Sequence, residues 1–461
     1  MINKIKAVEP QKVFLLIGLI FGLLFLLITP PFQAPDEDNH IYKAFSLSEG
    51  KIFPEKNGNE NGIYVPQSLV STIAVFSPYE LGGKNFNPKN QDFKKIDYFL
   101  STPLNRDNRI FLKFANTYPP LPYLAMASVM NIAALFNTPP LVLMYLDRIV
   151  NLCLWLFLTY LAIKITPIHK WVFLMLALMP MTLFISASIS PDSLTIGLTF
   201  LIIAVFLNLS FDPDKKKIDN RDLGIVFLLT ILVTLVKPLY FFSVLLFGMI
   251  PVTKFENRKQ KWLMFILLII SMILTYCLWQ HLMTGYVQTS ASTSETLTRI
   301  LNPANYLIIL FDTIKLDGCY LLGTFVGILG WQDIQLPPII VYLYISLLIL
   351  VSLADKGQII INLKQKLTIL TPLILFLISL TIYFYITFHN SAYNDTIRGL
   401  TGRYFIPVAP LFFLLFYNNK NKIGNEINFS RGEKLNLLII LFIIFSLLIS
   451  LFLIIKKYYP I

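Results

Sequence analysis

The sequence predicts an all-α polytopic membrane protein with about eleven transmembrane helices and a large first outer loop that contains juxtamembrane helices. Of its 461 residues, 56% are hydrophobic and 14% are charged, whereas an average soluble domain has about 25% charged residues. The mean hydropathy is +0.66, and several apolar runs are long enough for a helix to cross a bilayer. This composition excludes a soluble globular protein, a disordered chain and a disulfide scaffold.

Twelve apolar runs divide the chain, and most are the length of one membrane span. The three cysteines form no CxxC pair. There is no glycine-rich phosphate loop and no HExxH motif. Basic residues are scattered between the apolar runs, which argues against nucleic-acid binding. The runs are 13–29, 119–137, 141–165, 170–187, 193–209, 223–236, 238–252, 262–282, 338–354, 367–388, 403–417 and 436–455.

Lysine and arginine concentrate in six short connectors, which hold 20 of the 38 basic residues. The positive-inside rule predicts that these connectors are cytoplasmic, and with them the N-terminus. The first run is followed by Pro30 and Pro31 rather than by a small-residue cleavage site, so it is predicted to be an uncleaved span. The connectors are 1–12, 164–170, 210–222, 253–261, 355–366 and 418–434.

This arrangement is consistent only if run 119–137 does not cross the membrane, so we expect it to lie in the outer interface. The alternative places the N-terminus outside, gives twelve spans and puts loop 30–118 in the cytoplasm. In the favoured arrangement, residues 1–461 form one membrane domain with outer loops at 30–118 and 283–337 and a smaller one at 389–402. Within 283–337, the stretches 306–316 and 318–330 are apolar enough to lie on or dip into the outer face.

The first candidate site follows the first span, in Pro35-Asp36-Glu37-Asp38-Asn39-His40. Three consecutive carboxylates and a nearby histidine suit a hard divalent cation, Mg²⁺ or Mn²⁺, with Asp36, Glu37 and His40 as ligands. Asp36 and His40 would share one helix face if a helix begins here. The alternative is a solvated acidic helix start, with Asp36 as the N-cap.

The second candidate is Asp192, at the short outer tip between runs 170–187 and 193–209. A carboxylate so close to the membrane is costly without a partner. The alternative is that Asp192 caps the helix that begins at Ser193.

Several basic residues stand apart from the connectors and are candidates for binding a lipid phosphate. Arginine offers phosphate a rigid fork of donors, and lysine offers a point charge. For Arg398, snorkelling toward lipid headgroups is the favoured interpretation. Arg148, next to Asp147, would alternatively pair inside the bundle. The candidates are Arg148, Lys237 and Arg403, with Tyr404 beside Arg403.

Trp331, in Gly330-Trp331-Gln332-Asp333, is a candidate for stacking on a sugar ring, although an interface anchor is the simpler interpretation. The four histidines, His40, His169, His281 and His389, show no metal-ligand spacing among themselves.

Taken together, these motifs resemble the GT-C superfamily of membrane glycosyltransferases. Within it, the chain is most similar to a bacterial family of predicted membrane proteins with no assigned function. The resemblance rests on Pro35-Asp36-Glu37 with His40, on Tyr118-Pro119-Pro120-Leu121, on Pro191-Asp192, on Gly330-Trp331 and on Gly402-Arg403-Tyr404. It covers essentially the whole chain, and each motif is short.

The resemblance implies that Asp36 is a catalytic base or metal ligand, that Glu37 is its neighbour in an acidic pair, and that Asp192 is the second-loop acidic residue. It also implies a polyprenyl-phosphate-linked sugar as donor and supports 119–137 as an outer juxtamembrane helix. One departure concerns the aminoarabinose-transferase branch, in which a lysine precedes the proline that ends the loop. Thr117 and Tyr118 stand here instead, which places more weight on Lys237 and Arg403. The WWD signature of oligosaccharyltransferases is absent.

The sequence therefore predicts a glycosyltransferase at the outer face of a bacterial plasma membrane. It would move a sugar from a polyprenyl-phosphate donor to a cell-envelope glycan or lipid, and it would need no nucleotide. A lipid-linked glycan polymerase or ligase and a transporter or flippase are the alternatives. A transporter would be expected to carry internal repeats and interrupted helices with polar residues at the midplane, and the sequence shows no repeat.

Overall fold

The computed structural model describes residues 9–77, 93–114, 118–286, 294–355, 359–388, 396–417 and 429–459. Residues 1–8 of the first connector, Thr117 and His389 lie outside them. The described chain is mostly helical. Its helices are α1 (Pro10–Ile28), α2 (Glu37–Ser48), α3 (Gln67–Phe76), α4 (Phe93–Ser101), α5 (Leu124–Ala134), α6 (Pro140–Ile165), α7 (Lys170–Ala177), α8 (Pro180–Ser186), α9 (Pro191–Phe211), α10 (Asn220–Val236), α11 (Arg258–Met283), α12 (Ser294–Leu301), α13 (Pro303–Val326), α14 (Pro338–Ala354), α15 (Leu363–Phe388), α16 (Ala409–Leu414) and α17 (Phe429–Tyr458).

Six helices in the described part of the chain are long and apolar enough to cross a membrane, fewer than the eleven predicted. The difference arises because several predicted spans are short or broken. Run 170–187 is divided into α7 and α8 at Pro180, which has no backbone N–H and holds Met179 in an extended conformation. Run 238–252 contains the 3₁₀ helix Pro238–Met249. The six helices are α1, α6, α9, α11, α15 and the part of α17 from Lys434 to Tyr458.

The first outer loop contains short helices, as predicted, and also a small sheet that was not predicted. Strands β1 (Glu55–Asn57), β2 (Glu60–Pro66) and β3 (Arg109–Lys113) form an antiparallel sheet in the order β1-β2-β3. Ile63 pairs with Leu112 across β2 and β3. The sheet joins the first half of the loop to the segment near its end. Helices α2 and α3 pack in one buried cluster with α5 and the start of α6.

The segment predicted as two apolar stretches, 306–316 and 318–330, is mostly one continuous helix, α13, followed by a hairpin. The hairpin pairs β4 (Ile328–Leu329) with β5 (Ile334–Gln335). Helix α5 has 11 residues and is about 16 Å long at 1.5 Å per residue. That is about half the thickness of a bilayer core. Its Met126 and Met130 pack in one buried cluster with α2.

The outer loops meet one another at one end of the helix bundle, which we call the loop end. Asn61 in β2 donates a hydrogen bond to the carbonyl oxygen of Tyr286, at 3.1 Å, just beyond α11. The Trp331 indole donates to the Phe32 carbonyl oxygen at 3.2 Å. The hydroxyl of Tyr459, after α17, donates to Ile28 at the end of α1. Two outer loops far apart in sequence and the segment that follows α17 therefore share one side.

In the described part of the chain, four of the basic connectors (164–170, 210–222, 253–261 and 355–366) lie at the opposite end of the same helices, which we call the basic end. The backbone N–H of His169 donates to the Asp355 carboxylate at 2.5 Å. Ile218 donates to the Lys254 carbonyl oxygen at 2.9 Å. The described residues therefore form a bundle with a loop end and a basic end.

Candidate functional site

Four segments of the chain bring two carboxylates and two cations together at the loop end. Asp36 precedes α2, Asp192 begins α9, Lys237 follows α10, and Arg403 lies in the 3₁₀ helix Gly402–Val408. Lys237 is hydrogen-bonded to Asp192. Arg403 lies 3.8 Å from Asp192 and 3.7 Å from Asp36, measured between side-chain nitrogen and oxygen atoms. We call these four residues the carboxylate–cation cluster.

Asp36 occupies the N-cap position of α2, but its side chain makes no capping hydrogen bond, so the capping alternative is wrong. Its backbone is left-handed, with φ of 62°. Aspartate tolerates this conformation better than most residues. The Asp36 side chain is 49% exposed, the most open of the four. Its carboxylate is therefore accessible to a bound ligand.

Asp192 does not cap α9 either. Ser190 is the N-cap, and its hydroxyl accepts a hydrogen bond from the Asp192 backbone N–H at 3.1 Å. The Asp192 carboxylate is thus free to pair with Lys237 and Arg403. A carboxylate in the first turn of a helix also interacts favourably with the helix dipole, which helps to keep it charged.

Arg403 is held by close packing of its own segment. A Cβ atom on Gly402 would lie 2.0 Å from the carbonyl oxygen of Leu321 in α13, so only glycine fits there. The Gly402 N–H donates to the Thr324 hydroxyl at 2.7 Å. The guanidinium lies over the ring of Tyr404, 5.3 Å from its centroid. This packing places the 3₁₀ helix against α13.

One donor of this guanidinium is buried without an acceptor. The Arg403 Nε atom has no hydrogen-bond partner among the described residues, and 3.8 Å to Asp192 is too long for a hydrogen bond. A buried charged donor left unsatisfied costs more than about 1–3 kcal/mol. An anionic oxygen entering the cluster would satisfy it.

Aromatic rings surround the cluster. Lys237 lies 5.4 Å from the centroid of the Tyr404 ring, which packs against Phe384. The Tyr240 hydroxyl donates to the Tyr404 carbonyl oxygen at 2.9 Å. Tyr118 packs edge-on against the His40 ring. These rings reduce contact of the cations with water, which strengthens their attraction for an anion.

His40 is a buried, neutral neighbour of the cluster. Its Nδ1 atom is hydrogen-bonded to the Tyr123 hydroxyl at 2.9 Å. Burial lowers the pKa of His40 to about 4, although Asp36 and Asp192 act in the opposite direction. Asp36 and His40 are joined by a helical backbone hydrogen bond, so they lie one turn apart as the spacing predicted.

Glu37 and Arg148, which we named as candidates, bind each other away from the cluster. Both side chains are fully buried. Arg148 Nε donates to one Glu37 oxygen at 2.8 Å and Nη2 to the other at 2.6 Å. Glu37 also accepts the Ile189 N–H at 3.0 Å. Arg148 donates to the carbonyl oxygens of Leu26, Thr29 and Pro30. This pair joins the end of α1, the start of α2 and the tip before α9.

Trp331 and Arg398 do not join the cluster's ion pairs. Trp331 holds the β4–β5 hairpin to the first loop through Phe32, and Arg398 is exposed. Asp38 accepts a hydrogen bond from Ser77 at 2.9 Å.

The sequence analysis did not single out Tyr123 or Tyr240, and no spacing in the sequence points to them. Tyr118 entered only as part of a motif.

The donor set does not fit a divalent cation. No group of three or more His, Cys, Asp or Glu side chains is placed to hold a metal in the described ranges. Asp36 and Asp192 face the ammonium of Lys237 and the guanidinium of Arg403, and Glu37 faces Arg148. A metal would have to displace these cations from Asp36, Glu37 and Asp192.

A family of predicted membrane proteins matches the chain, in agreement with the six membrane-length apolar helices among its described residues. No curated protein and no solved structure matches the chain. Residues 19–412 match the family described as "Predicted membrane protein (DUF2142)". This range includes Asp36, Asp192, Lys237 and Arg403, so the family covers the whole cluster. The chain therefore belongs to the DUF2142 family of predicted membrane proteins.

Proposed function

We propose that the protein is a GT-C-type membrane glycosyltransferase that uses a polyprenyl-phosphate-linked sugar. The observation that carries the proposal is the carboxylate–cation cluster, in which an accessible carboxylate lies beside a largely buried arginine whose buried Nε donor is unsatisfied among the described residues. A glycosyl transfer needs a base for the acceptor hydroxyl and positive charge for the departing phosphate. The cluster offers both within one small volume.

In the proposed reaction, Asp36 accepts the proton of the acceptor hydroxyl as its oxygen attacks the anomeric carbon. The bond between that carbon and the phosphate oxygen breaks, and the phosphate leaves with the electron pair. Arg403 and Lys237 stabilise the negative charge that develops on the leaving phosphate. They take the part that a divalent ion would otherwise play. No nucleotide is required, because the lipid phosphate is the leaving group.

The cluster lies where a lipid phosphate would be found if the loop end is the outer face of a plasma membrane. We propose an eleven-span topology with a cytoplasmic N-terminus, in which α5 and α13 lie at the outer face. The grouping of basic connectors at the other end supports this orientation. So do the contacts that hold the outer loops together. The acceptor is then a glycan or lipid of the cell envelope.

The test is sugar transfer by the purified protein in nanodiscs. Polyprenyl-phosphate glucose and polyprenyl-phosphate arabinose, each radiolabelled, serve as donors, and cell-envelope extract serves as acceptor. The Asp36→Asn variant keeps the size of the side chain and cannot take the proton. We expect its transfer rate to fall about 10²–10⁴-fold, the usual contribution of a general base.

The matched control is Asp333→Asn. Asp333 is a partly exposed carboxylate at the loop end that pairs with Lys457 at 3.0 Å and lies outside the cluster. It should retain wild-type activity. Near-full activity of Asp36→Asn would remove Asp36 from the mechanism. In a parallel assay in sealed proteoliposomes, movement of the intact labelled lipid across the membrane without covalent transfer would identify a flippase instead.

A further inference from the structure

A cavity of about 500 Å³ lies at the basic end, far along the bundle from the carboxylate–cation cluster. Its walls come from the last turn of α6, the connector to α7, the end of α9 and the first turns of α10. Its volume is within the range of sites that hold small ligands. The proposed glycosyl transfer makes no use of it.

The charges of this cavity are separated between its walls. Lys164 and Lys170 come from the end of α6 and the start of α7, whereas Asp212 and Asp222 come from the end of α9 and the start of α10. In the part of the chain that the structure describes, no ion pair within 4.0 Å joins the two lysines to the two aspartates. The cavity therefore has positive charges on one wall and negative charges on the other, and no ion pair between described residues joins the two walls.

The lysines retain free donors. Lys170 donates one hydrogen bond to the Lys164 carbonyl oxygen at 2.9 Å, and an ammonium carries three donors. The Lys164 ammonium lies against the Tyr160 ring, 5.9 Å from its centroid. Two ammonium groups on one wall suit a phosphate.

The opposite wall retains an acceptor. Asp222 pairs with Lys215 at 2.6 Å. The Asp212 carboxylate accepts hydrogen bonds from the side chain of Asn208 at 2.9 Å and the backbone of Asp214 at 3.0 Å, both uncharged donors. Lys254 donates to the Asp212 backbone carbonyl oxygen. Among the described residues, the Asp212 carboxylate makes no salt bridge within 4.0 Å, although the charge of Lys254 interacts with it. Its remaining acceptor capacity suits an ammonium group.

The apolar side of the cavity continues onto the outer surface of the helices. Ile225 lines the cavity and is also exposed. Leu228 in α10 and Phe157 in α6, each further from the basic end, are 56% and 59% exposed. Acyl chains would lie along these side chains while a headgroup occupied the polar walls.

We propose that this cavity binds a zwitterionic phospholipid headgroup, with its phosphate on Lys164 and Lys170 and its ammonium on Asp212. Basic pockets between membrane helices are known to take anionic headgroups, but here the Asp212 carboxylate, which has no salt bridge among the described residues, opposes a purely anionic one. A headgroup that carries both a phosphate and an amine can bind the two lysines and Asp212 at the same time. The site is independent of the glycosyl-transfer proposal.

The experiment measures lipid binding to the full-length protein, stripped of lipid in detergent, by native mass spectrometry. The probes are phosphatidylethanolamine and phosphatidylglycerol with identical acyl chains. We expect phosphatidylethanolamine to bind about tenfold more tightly, since one charge-assisted hydrogen bond contributes about that factor. Asp212→Asn should abolish the preference while phosphatidylglycerol binding is kept. Lys164→Ala with Lys170→Ala should weaken both lipids about tenfold or more.

The matched control is Lys217→Ala, an exposed lysine of connector 210–222 that does not line the cavity. It should bind both lipids as the wild type does. Equal affinity of the wild type for the two lipids overturns the proposal, and this comparison needs no variant to fold. An unchanged preference in Asp212→Asn, or an equal loss in Lys217→Ala, also overturns it.

Discussion

The buried pair of Glu37 and Arg148 allows a sharp prediction about stability. Glu37→Gln preserves the shape of the side chain but removes its charge. The remaining oxygen can still accept a hydrogen bond. The NH₂ group that replaces the other oxygen is a donor, so it cannot accept a hydrogen bond from Arg148 or Ile189. Arg148 is then left as a buried charge without its counterion.

The expected cost follows from the geometry of the pair. Removing one partner of a buried ion pair typically costs about 3–5 kcal/mol. We expect the lower part of this range, because Arg148 keeps its bonds to the carbonyl oxygens of Leu26, Thr29 and Pro30. Even so, about 3 kcal/mol is a large part of a typical folding free energy of about 5–15 kcal/mol.

The measurement is thermal unfolding of the purified protein in detergent, followed by tryptophan fluorescence. Glu37→Gln should unfold several degrees below the wild type, whereas Asp36→Asn should unfold at the wild-type temperature because Asp36 makes no capping bond. The double variant Glu37→Met with Arg148→Met should recover part of the loss, since it removes both charges. A wild-type unfolding temperature for Glu37→Gln, together with lost activity, would refute the structural role and return Glu37 to the chemistry.

Three further predictions concern the donor, the pH dependence and the orientation. Arg403→Lys keeps the charge but loses the fork of donors, so the donor KM should rise; an equal KM in wild type and Arg403→Ala would show that Arg403 does not bind donor. Because burial lowers the pKa of His40 to about 4, below about 6.5 the unfolded state binds more protons than the folded state. The stability that neutral His40 contributes should therefore be complete above about pH 6.5 and be lost as the pH falls toward 4. His169, whose pKa burial also lowers to about 4, acts with the same sign, so His40→Gln should reduce this pH dependence of the unfolding temperature without removing it. In a background without native cysteines, single cysteines at 57–62 should react with an impermeant thiol reagent on intact cells and those at 215–217 should not; labelling of 57–62 only after permeabilisation would favour the twelve-span alternative.

The sequence by itself determined the class of protein and the division of its charges. Hydropathy and the positions of lysine and arginine are properties of short segments, and each segment responds to the membrane almost independently of the others. The separation of the basic connectors from the outer loops could therefore be predicted, and the described contacts agree with it. The left-handed Asp36 and the tight packing of Gly402 occur within motifs that the sequence had already singled out.

The tertiary structure alone decided which carboxylates are accessible at the cluster and which are buried in a structural ion pair. Asp36 and Glu37 are adjacent, yet one is accessible and the other is bound to Arg148, 111 positions away. The sequence allowed Asp192 to be the N-cap of α9, but in the structure Ser190 holds that position. The first-loop sheet likewise depends on β2 meeting β3 across a long segment. Ion pairs, caps and strand pairs join residues far apart in sequence or compete for the same donors. Which of these interactions form depends on the segments that the folded chain brings together. Local composition therefore does not predict them.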